Sequence, residues 1–492
     1  SKTVAIVGAG IGGLAAAALL AKAGHRVTVF EQAAQAGGKA ASLQLGGYRF
    51  DTGPSLLTLP DVFRAFFERL GRDVRDYLDL IPLAPLCAYE FADGTRLCGF
   101  SDRARFAVEL EAAGVAQAAE LEAYLERSAR LWEWAGELFL THSLHEPATY
   151  ASRKGLKALL NAARLSPFAN LHAANARAFA DPRAAQLFDR YATYNGSSPF
   201  RTPATMRIIP HVEYAFGGYA LKGGIVSLPR ALERAAREWG VEFRFGARAE
   251  RIVVENGRCR GVEAGGERFP ADVVVSNADV LSTYRTLLDR PQAPEARRYA
   301  RLEPSSSGLV FLWGVKRRFP RLQVHNIFFS GDYRAEFEAI FGALDLPAEP
   351  TVYVNVTSKV DPGDAPPGGE NWFVLLNAPR NAGQDWPALA ARARQAVLRR
   401  LSRALGCDVE PLIEVERILA PPDVERDTGS TFGSLYGIAS HSPVSAFLRH
   451  PNRSRRIGGL YFAGGSAHPG GGMPLALLSG LLAADLAEKC EP

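Results

Sequence analysis

The most constraining feature of the chain lies at its start. A wholly apolar stretch, Thr3–Val7, runs into Gly8-Ala9-Gly10-Ile11-Gly12-Gly13 and then directly into the helix-forming residues 14–23. Such a run is what a parallel strand buried on both faces requires. Gly24 stands where a helix C-cap belongs, and a second strand, Arg26–Phe30, ends at Glu31, 18 residues beyond Gly13. Each part has a physical task. Gly8 makes the tight turn, Gly10 lets backbone amides approach a pyrophosphate at the helix N-terminus, and Gly13 lets helix and strand pack closely, with Ile11 and Gly12 opening the helix between them. Glu31, followed by Gln32, accepts hydrogen bonds from ribose hydroxyls, and its charge repels a 2′-phosphate. A glycine string alone is weak evidence, but strand, turn, helix, strand and acid in this order predict a dinucleotide site.

Two uncharged stretches, Val4 to Ala21 and Ile457 to Ala484, are long enough to imitate membrane spans, and Ala21-Lys22-Ala23 imitates a signal-peptidase site. The first contains four glycines between positions 8 and 13, and the second contains His468-Pro469-Gly470-Gly471-Gly472, which no single helix carries through its middle. Both are predicted to be buried strand–turn–helix units, so no transmembrane helix is expected. A chain of 492 residues, 47% apolar and 22% charged, is globular rather than disordered, with two or three folded units as the prior. Five scattered cysteines without a CxxC pair exclude a zinc ribbon and a disulfide scaffold and suit a reducing compartment. The net charge of +5 is too mild to argue for a nucleic-acid partner.

The residues after Glu31 decide which dinucleotide is expected. Gln35-Ala36-Gly37-Gly38-Lys39 is a Gly-Gly-basic turn that brings a cation near the phosphates. It resembles the FAD fingerprint of the glutathione-reductase and amine-oxidase group of flavoproteins. Asp51-Thr52-Gly53-Pro54-Ser55 resembles the segment beside the flavin ring in that group, which implies that Pro54, Ser55 and Leu56 flank the ring. At the other end, Gly459–Ala463 reads as a buried strand, Gly464-Gly465 as its turn, and Met473–Lys489 as a helix with Pro474 in its first turn. Gly472 and Met473 thus open a second helix N-terminus suited to negative charge at the flavin O2–N1 edge. Between the ends, residues 226–239 read as an amphipathic crossover helix, 240–263 as a hairpin or strand pair, and 272–279 as a buried strand and turn. These place Ala249 and Asn277 among the expected cofactor contacts.

The fold class expected is α/β (α+β overall): a Rossmann-like FAD-binding domain of the glutathione-reductase/amine-oxidase type with an inserted sheet-plus-helical-cap substrate domain. The cofactor domain is assigned to residues 1–85, 220–290 and 415–492, and the substrate-binding, membrane-facing domain to 86–219 and 291–414.

Longer strings resemble one family, the bacterial phytoene-desaturase-type carotenoid oxidoreductases. RYATYNGSSPFRTPATMRIIPHVEYAFGGYALKGGIVSLPRAL (190–232) is similar to their central segment, and AGGSAHPGGGMPLALLSGLLAADL (463–486) to their C-terminal flavin motif. Within the family, that ending together with HNIFFSGDYRAEF (325–337) and ENWFVLLNAP (370–379) most resembles the 1-hydroxycarotenoid 3,4-desaturases. One departure is Gly465, where many FAD relatives carry an acid, so backbone amides must serve the ribityl chain there.

The resemblance implies FAD-dependent desaturation: one hydrogen leaves a C–C bond beside a polyene as hydride to flavin, and the adjacent proton leaves to a base. The conjugated chain spreads the charge, so a strong base is unnecessary. Glu213 is the candidate catalytic acceptor, with His211 beside it; a hydrogen-bonded buried pair is the alternative. His468 has a turn-stabilising or a proton-relay role. Trp132, Trp134, Phe139, Phe311, Trp313, Phe328 and Phe329 suit either a polyene tunnel or ordinary core. A terminal hydroxyl must find a hydrogen-bonding group at the closed end, for which Asn326, His325 and His211 are the candidates.

The expected electron acceptor is oxygen or a quinone, because a second nucleotide fingerprint is missing. The location expected is cytoplasmic and peripheral to the cytoplasmic membrane, through a basic amphipathic helix around 153–168 whose leucines 156, 159 and 160 share one face. The alternative is that this face packs on the core. A phytoene desaturase, a retinoid saturase or carotenoid isomerase, a flavin amine oxidase and a non-catalytic carotenoid-binding protein remain competing functions.

Overall fold

The computed structural model describes residues 1–165 and 168–489. Five short strands form one parallel sheet in the order Leu460–Phe462, Val273–Ser276, Thr3–Val7, Arg26–Phe30, Glu242–Arg244. The N-terminal strand is therefore central, which is why it carries no polar side chain after Thr3. The helix Ile11–Lys22 is buried along nearly its whole length, as expected of a helix apolar on every side. Helix Met473–Lys489 crosses it so closely that a Cβ on Gly480 would strike the carbonyl oxygen of Gly12. Both chain ends thus build one unit, and both helix N-termini open at the same end of the sheet.

Glu242–Arg244 differs from its expected hairpin role. The crossover helix Ser227–Glu238 delivers it to the edge of the parallel sheet, and the left-handed turn at Gly246 (φ +64°) then releases the chain. The hairpin itself starts at Ala249 and forms a separate three-stranded antiparallel sheet.

A second sheet has seven strands, in the order Ile413–Leu419, Ser307–Val315, Glu370–Ala378, Val352–Asn355, His325–Phe328, Cys87–Glu90, Arg96–Gly99. Its pairs are antiparallel except His325–Phe328 with Cys87–Glu90. Ile413–Leu419 pairs with Ser307–Val315, so a cofactor segment that begins at 415 starts inside a strand of this sheet. One face of this sheet packs on the helix Trp386–Leu405 through Leu309, Phe311, Trp313 and Trp372. The other face meets the cofactor unit, where Tyr48 and Phe50 pack on Val310, Leu312 and Phe373.

Residues 103–216 supply a cap of short helices, including a π-helical turn at Trp132–Gly136. Among the described residues no helix is long and apolar enough to cross a membrane, and no cluster of side chains suits a metal ion. Cys87, Cys98, Cys259 and Cys407 are free; Cys490 lies outside the described residues.

Candidate functional site

The N-terminal motif folds into an anion cradle. Gly10 is the N-cap of the first helix in extended backbone and no side chain caps the first-turn amides, which leaves them for a ligand. Gly8 takes φ +94°, and a Cβ on Gly13 would strike the Gly8 carbonyl oxygen. Asn277 wedges its side-chain amide between the two chain ends: a Cβ on Gly10 or Gly464 would lie 2.7 Å from it, and one on Gly12 2.8 Å. Asn277 therefore sits between the glycine turns at 8–13 and 464–465, too close to both for a side chain at Gly10, Gly12 or Gly464. The Gly37 amide bonds to the Ala9 carbonyl (3.0 Å), bringing the Gly37-Gly38 turn against the cradle, with Gly38 beside Gly10.

Glu31 is buried at the end of the second strand, one oxygen accepting from the Ala9 amide (2.7 Å) and the other from the Ala33 amide (2.8 Å). Gln32 is exposed, its amide donating to the Asp427 carbonyl at 3.3 Å. Ala249 is buried among Val7, Phe30 and Ile252, which leaves its side chain in the core. Gly465 lies against Gly471, and Gly472 (φ +105°) leads into Met473 and the second helix N-terminus.

The half-buried Lys39 donates to the carbonyls of Ser434 (3.1 Å) and Leu435 (2.8 Å), and among the described residues it has no ion-paired carboxylate. Desolvation draws its pKa down to about 8, with the Asp279 charge pulling the other way. Uncapped amides, a buried acid and a desolvated cation held only by carbonyls together fit a dinucleotide of the FAD type. The residues that would hold it are the 8–13 turn, Glu31, Gly38, Lys39 and the two closing turns.

On the substrate side, Glu213 and Arg190 form a buried ion pair at 2.7 Å. The Tyr191 and Tyr194 hydroxyls donate to the same carboxylate at 3.0 and 2.5 Å, and Arg190 also donates to the Tyr89 oxygen at 2.7 Å. Both Glu213 oxygens are thus already occupied. His211 is not its partner. That ring lies between Trp132 and Phe216, with Nδ1 buried and unbonded, and burial lowers its pKa. His468 bonds through Nε2 to the His142 carbonyl (2.8 Å), a cross-link between cap and flavin turn, and burial pulls its pKa down to about 4.

The three hydroxyl candidates separate. Asn326 faces away, its oxygen accepting from the Gln323 amide and its nitrogen donating to the Gln323 and Val354 carbonyls. His325 faces the cofactor unit: its Nδ1 lies 2.7 Å from the Tyr353 hydroxyl, which lies 2.5 Å from Ser55 Oγ. Ser55 and His325, predicted for cofactor and substrate separately, are therefore joined through one tyrosine. Tyr353 and Asn355 escaped sequence reasoning; the signal was the alternation in TVYVNVT, which puts both on one face. Pro54 and Leu56 flank Ser55, and Leu56 lies under Gly218.

Phe311, Trp313 and Phe328 prove to be core on the far side of the sheet, and Phe329 stacks on Phe91 within a second core. Trp132 and Phe139 do line an apolar junction. With the half-buried Val212, Phe216 and Leu475 they surround Leu59, Leu140 and Leu478 where the cap meets the closing helix. Trp134 lies outside it, beneath Arg127 and Arg164.

Helix Arg153–Leu160 lies at the surface and buries only Gly155. Lys154 pairs with Glu137, and Lys157 with Glu133 at 2.7 Å, all four side chains remaining exposed. Leu156, Leu159 and Leu160 are 56%, 53% and 76% exposed, and Phe168 is 96% exposed. The leucines do not pack on the core. Ser166 and Pro167, within the predicted helix, lie outside the described residues.

A family model of flavin-containing amine oxidoreductases matches residues 11–487. A 1-hydroxycarotenoid 3,4-desaturase from a Flavobacterium species is 45% identical over 485 residues, 99% of each chain. A hydroxyneurosporene desaturase from Rubrivivax gelatinosus is 35% identical over 98% of this chain and 92% of its own. Among solved structures, an oxidoreductase from Methanosarcina mazei shares the fold with a TM-score of 0.65 at 17% identity, covering 99% of this chain and all of that one.

Proposed function

Because the chain belongs to the flavin-containing amine oxidoreductase family, we propose that it is a carotenoid desaturase that forms the 3,4 double bond of an acyclic 1-hydroxycarotenoid. It is an FAD-dependent oxidoreductase, and its likeness to carotenoid desaturases extends over essentially the whole chain. The observation that carries the substrate reading is 45% identity from end to end with a 1-hydroxycarotenoid 3,4-desaturase. FAD, when bound, supplies the two-electron oxidising chemistry.

The chain's own residues do the rest. The amides of the 8–13 turn and Lys39 bind the phosphates, and Glu31 binds the ribose. The apolar junction around Trp132, Phe139 and Phe216 shields the polyene from water. The conjugated substrate disperses positive charge, so the proton on the neighbouring carbon leaves to a weak base. Glu213 takes it through Tyr194, whose hydroxyl donates to the same carboxylate that Arg190 pairs with.

The exposed leucines at 156, 159 and 160 support peripheral binding to a membrane surface, from which a water-insoluble substrate is drawn. Oxygen or a membrane quinone takes the electrons. The test is product analysis with liposome-borne substrates. The 1-hydroxycarotenoid should gain one double bond next to its hydroxylated end, ahead of phytoene; equal or faster turnover of phytoene overturns the substrate assignment.

A further inference from the structure

On the sheet face that meets the cofactor unit, His325 and Asn355 are cross-strand partners in register, 3% and 1% exposed. Their hydrogen bonds determine which atoms carry protons. Asn355 Nδ2 donates to the Val324 carbonyl at 3.0 Å, and the same nitrogen lies 3.2 Å from His325 Nδ1. An amide nitrogen donates only, so Nδ1 is an acceptor. The Tyr353 hydroxyl, 2.7 Å from Nδ1, donates to it as well, and Ser55 Oγ–H in turn donates to the Tyr353 oxygen. Burial keeps the ring neutral, with its pKa drawn down to about 3, so its single proton sits on Nε2.

Two polar atoms of this pair are left buried without a partner: the Nε2–H donor of His325 and the Oδ1 acceptor of Asn355. Buried polar groups are bonded as a rule, and an unmet donor and an unmet acceptor on cross-strand partners leave bonding for a ligand to complete. The leftover chemistry selects the ligand group. An alcohol hydroxyl accepts from Nε2–H and donates to Oδ1. A carbonyl or ether oxygen satisfies only the donor, a carboxylate is repelled by Oδ1, and a hydrocarbon end satisfies neither. Position agrees with this choice. A hydroxyl on C1 is two carbons from the C3–C4 bond, so its pocket must adjoin the reaction site, and the Ser55–Tyr353 link ties the pair directly to the cofactor unit.

We propose that His325 Nε2–H and Asn355 Oδ1 together form the pocket that recognises the terminal hydroxyl of the substrate and set the enzyme's preference for hydroxylated over unhydroxylated carotenoids. This assignment rests on the reading of the enzyme as a desaturase of 1-hydroxycarotenoids. Tyr353 is the positioning residue that fixes the histidine tautomer.

The test compares kcat/KM for a 1-hydroxycarotenoid and its deoxy analogue in the wild type, His325→Phe, Asn355→Leu and His325→Gln, each checked for FAD content. The wild type should prefer the alcohol about a hundredfold or more, and His325→Phe and Asn355→Leu should each reduce that ratio by about tenfold or more, through loss on the alcohol alone. His325→Gln, whose amide still donates, should keep part of the ratio. Variants that bind FAD and retain the wild-type ratio overturn the pocket while leaving the desaturase reading intact. A wild type that desaturates no carotenoid overturns the reading itself. A measurement on the wild type alone guards against misfolded variants: the 1-methoxy ether should bind at least about tenfold more weakly than the alcohol, and equal affinity overturns the assignment.

Discussion

Replacing Leu156, Leu159 and Leu160 with serine separates a membrane-facing helix from a core helix. The three side chains together leave roughly two leucines' worth of surface in water. Full transfer of a leucine out of water is worth about 1.5–3 kcal/mol, and a headgroup layer captures about half of that, which leaves about 1.5–3 kcal/mol for the patch. Liposome partitioning of the triple variant should therefore fall about tenfold to a hundredfold. Because these side chains are exposed in the folded protein, the thermal midpoint should stay within about 2 °C of the wild type. Co-sedimentation with anionic liposomes gives the first quantity and a thermal melt the second. Turnover of liposome-borne carotenoid should slow in proportion to the lost binding, whereas turnover of detergent-dispersed substrate should not. Undiminished partitioning refutes the membrane role, and a large drop in the thermal midpoint refutes the exposed placement of the helix.

Glu31→Gln should weaken FAD about tenfold to a hundredfold, because an amide cannot accept from both the Ala9 and Ala33 amides and the ribose loses a charged partner; unchanged flavin retention on dialysis contradicts this. Lys39, with its pKa lowered to about 8, gives two signed pH effects. A base depressed on folding destabilises the folded apoprotein while it is protonated, so apoprotein stability should rise as pH climbs from about 8 towards the unfolded value near 10.5. FAD phosphates favour the charged ammonium, so FAD affinity should fall over the same range, and calorimetric titrations showing equal affinity at about pH 7 and pH 10 in the wild type sink the assignment. Reoxidation of the reduced enzyme should proceed with oxygen or a quinone and not with NAD, as stopped-flow absorbance will show.

The cofactor unit was legible because its punctuation is forced by sterics. Gly8 and Gly472 stand at positive φ and Gly13 where a side chain would strike the Gly8 carbonyl oxygen, and the closing helix begins at Met473 as the sequence predicts. Strand partnership was not legible. Alternation shows that residues 242–244 are extended but not which sheet receives them, and they joined the parallel sheet rather than the hairpin, while residues 413–419 straddle the boundary drawn at 415 and pair with Ser307–Val315. The same ambiguity affected the site: HNIF offers His325 and Asn326 as equals, and only the paired strand shows that His325 faces the cofactor unit while Asn326 bonds to the loop behind it. Alternation in TVYVNVT puts Tyr353 and Asn355 on one face but not beside His325, since their meaning comes from a histidine 28 and 30 residues away.

The central claim is that this chain oxidises a hydroxylated polyene at a bound flavin, and an anaerobic spectral titration of the purified holoprotein tests it most directly. Adding a 1-hydroxycarotenoid should bleach the visible flavin absorption and yield the 3,4-desaturated product in an amount equal to the flavin reduced. A flavin band that stays unbleached by the carotenoid but is bleached by an amine contradicts the account.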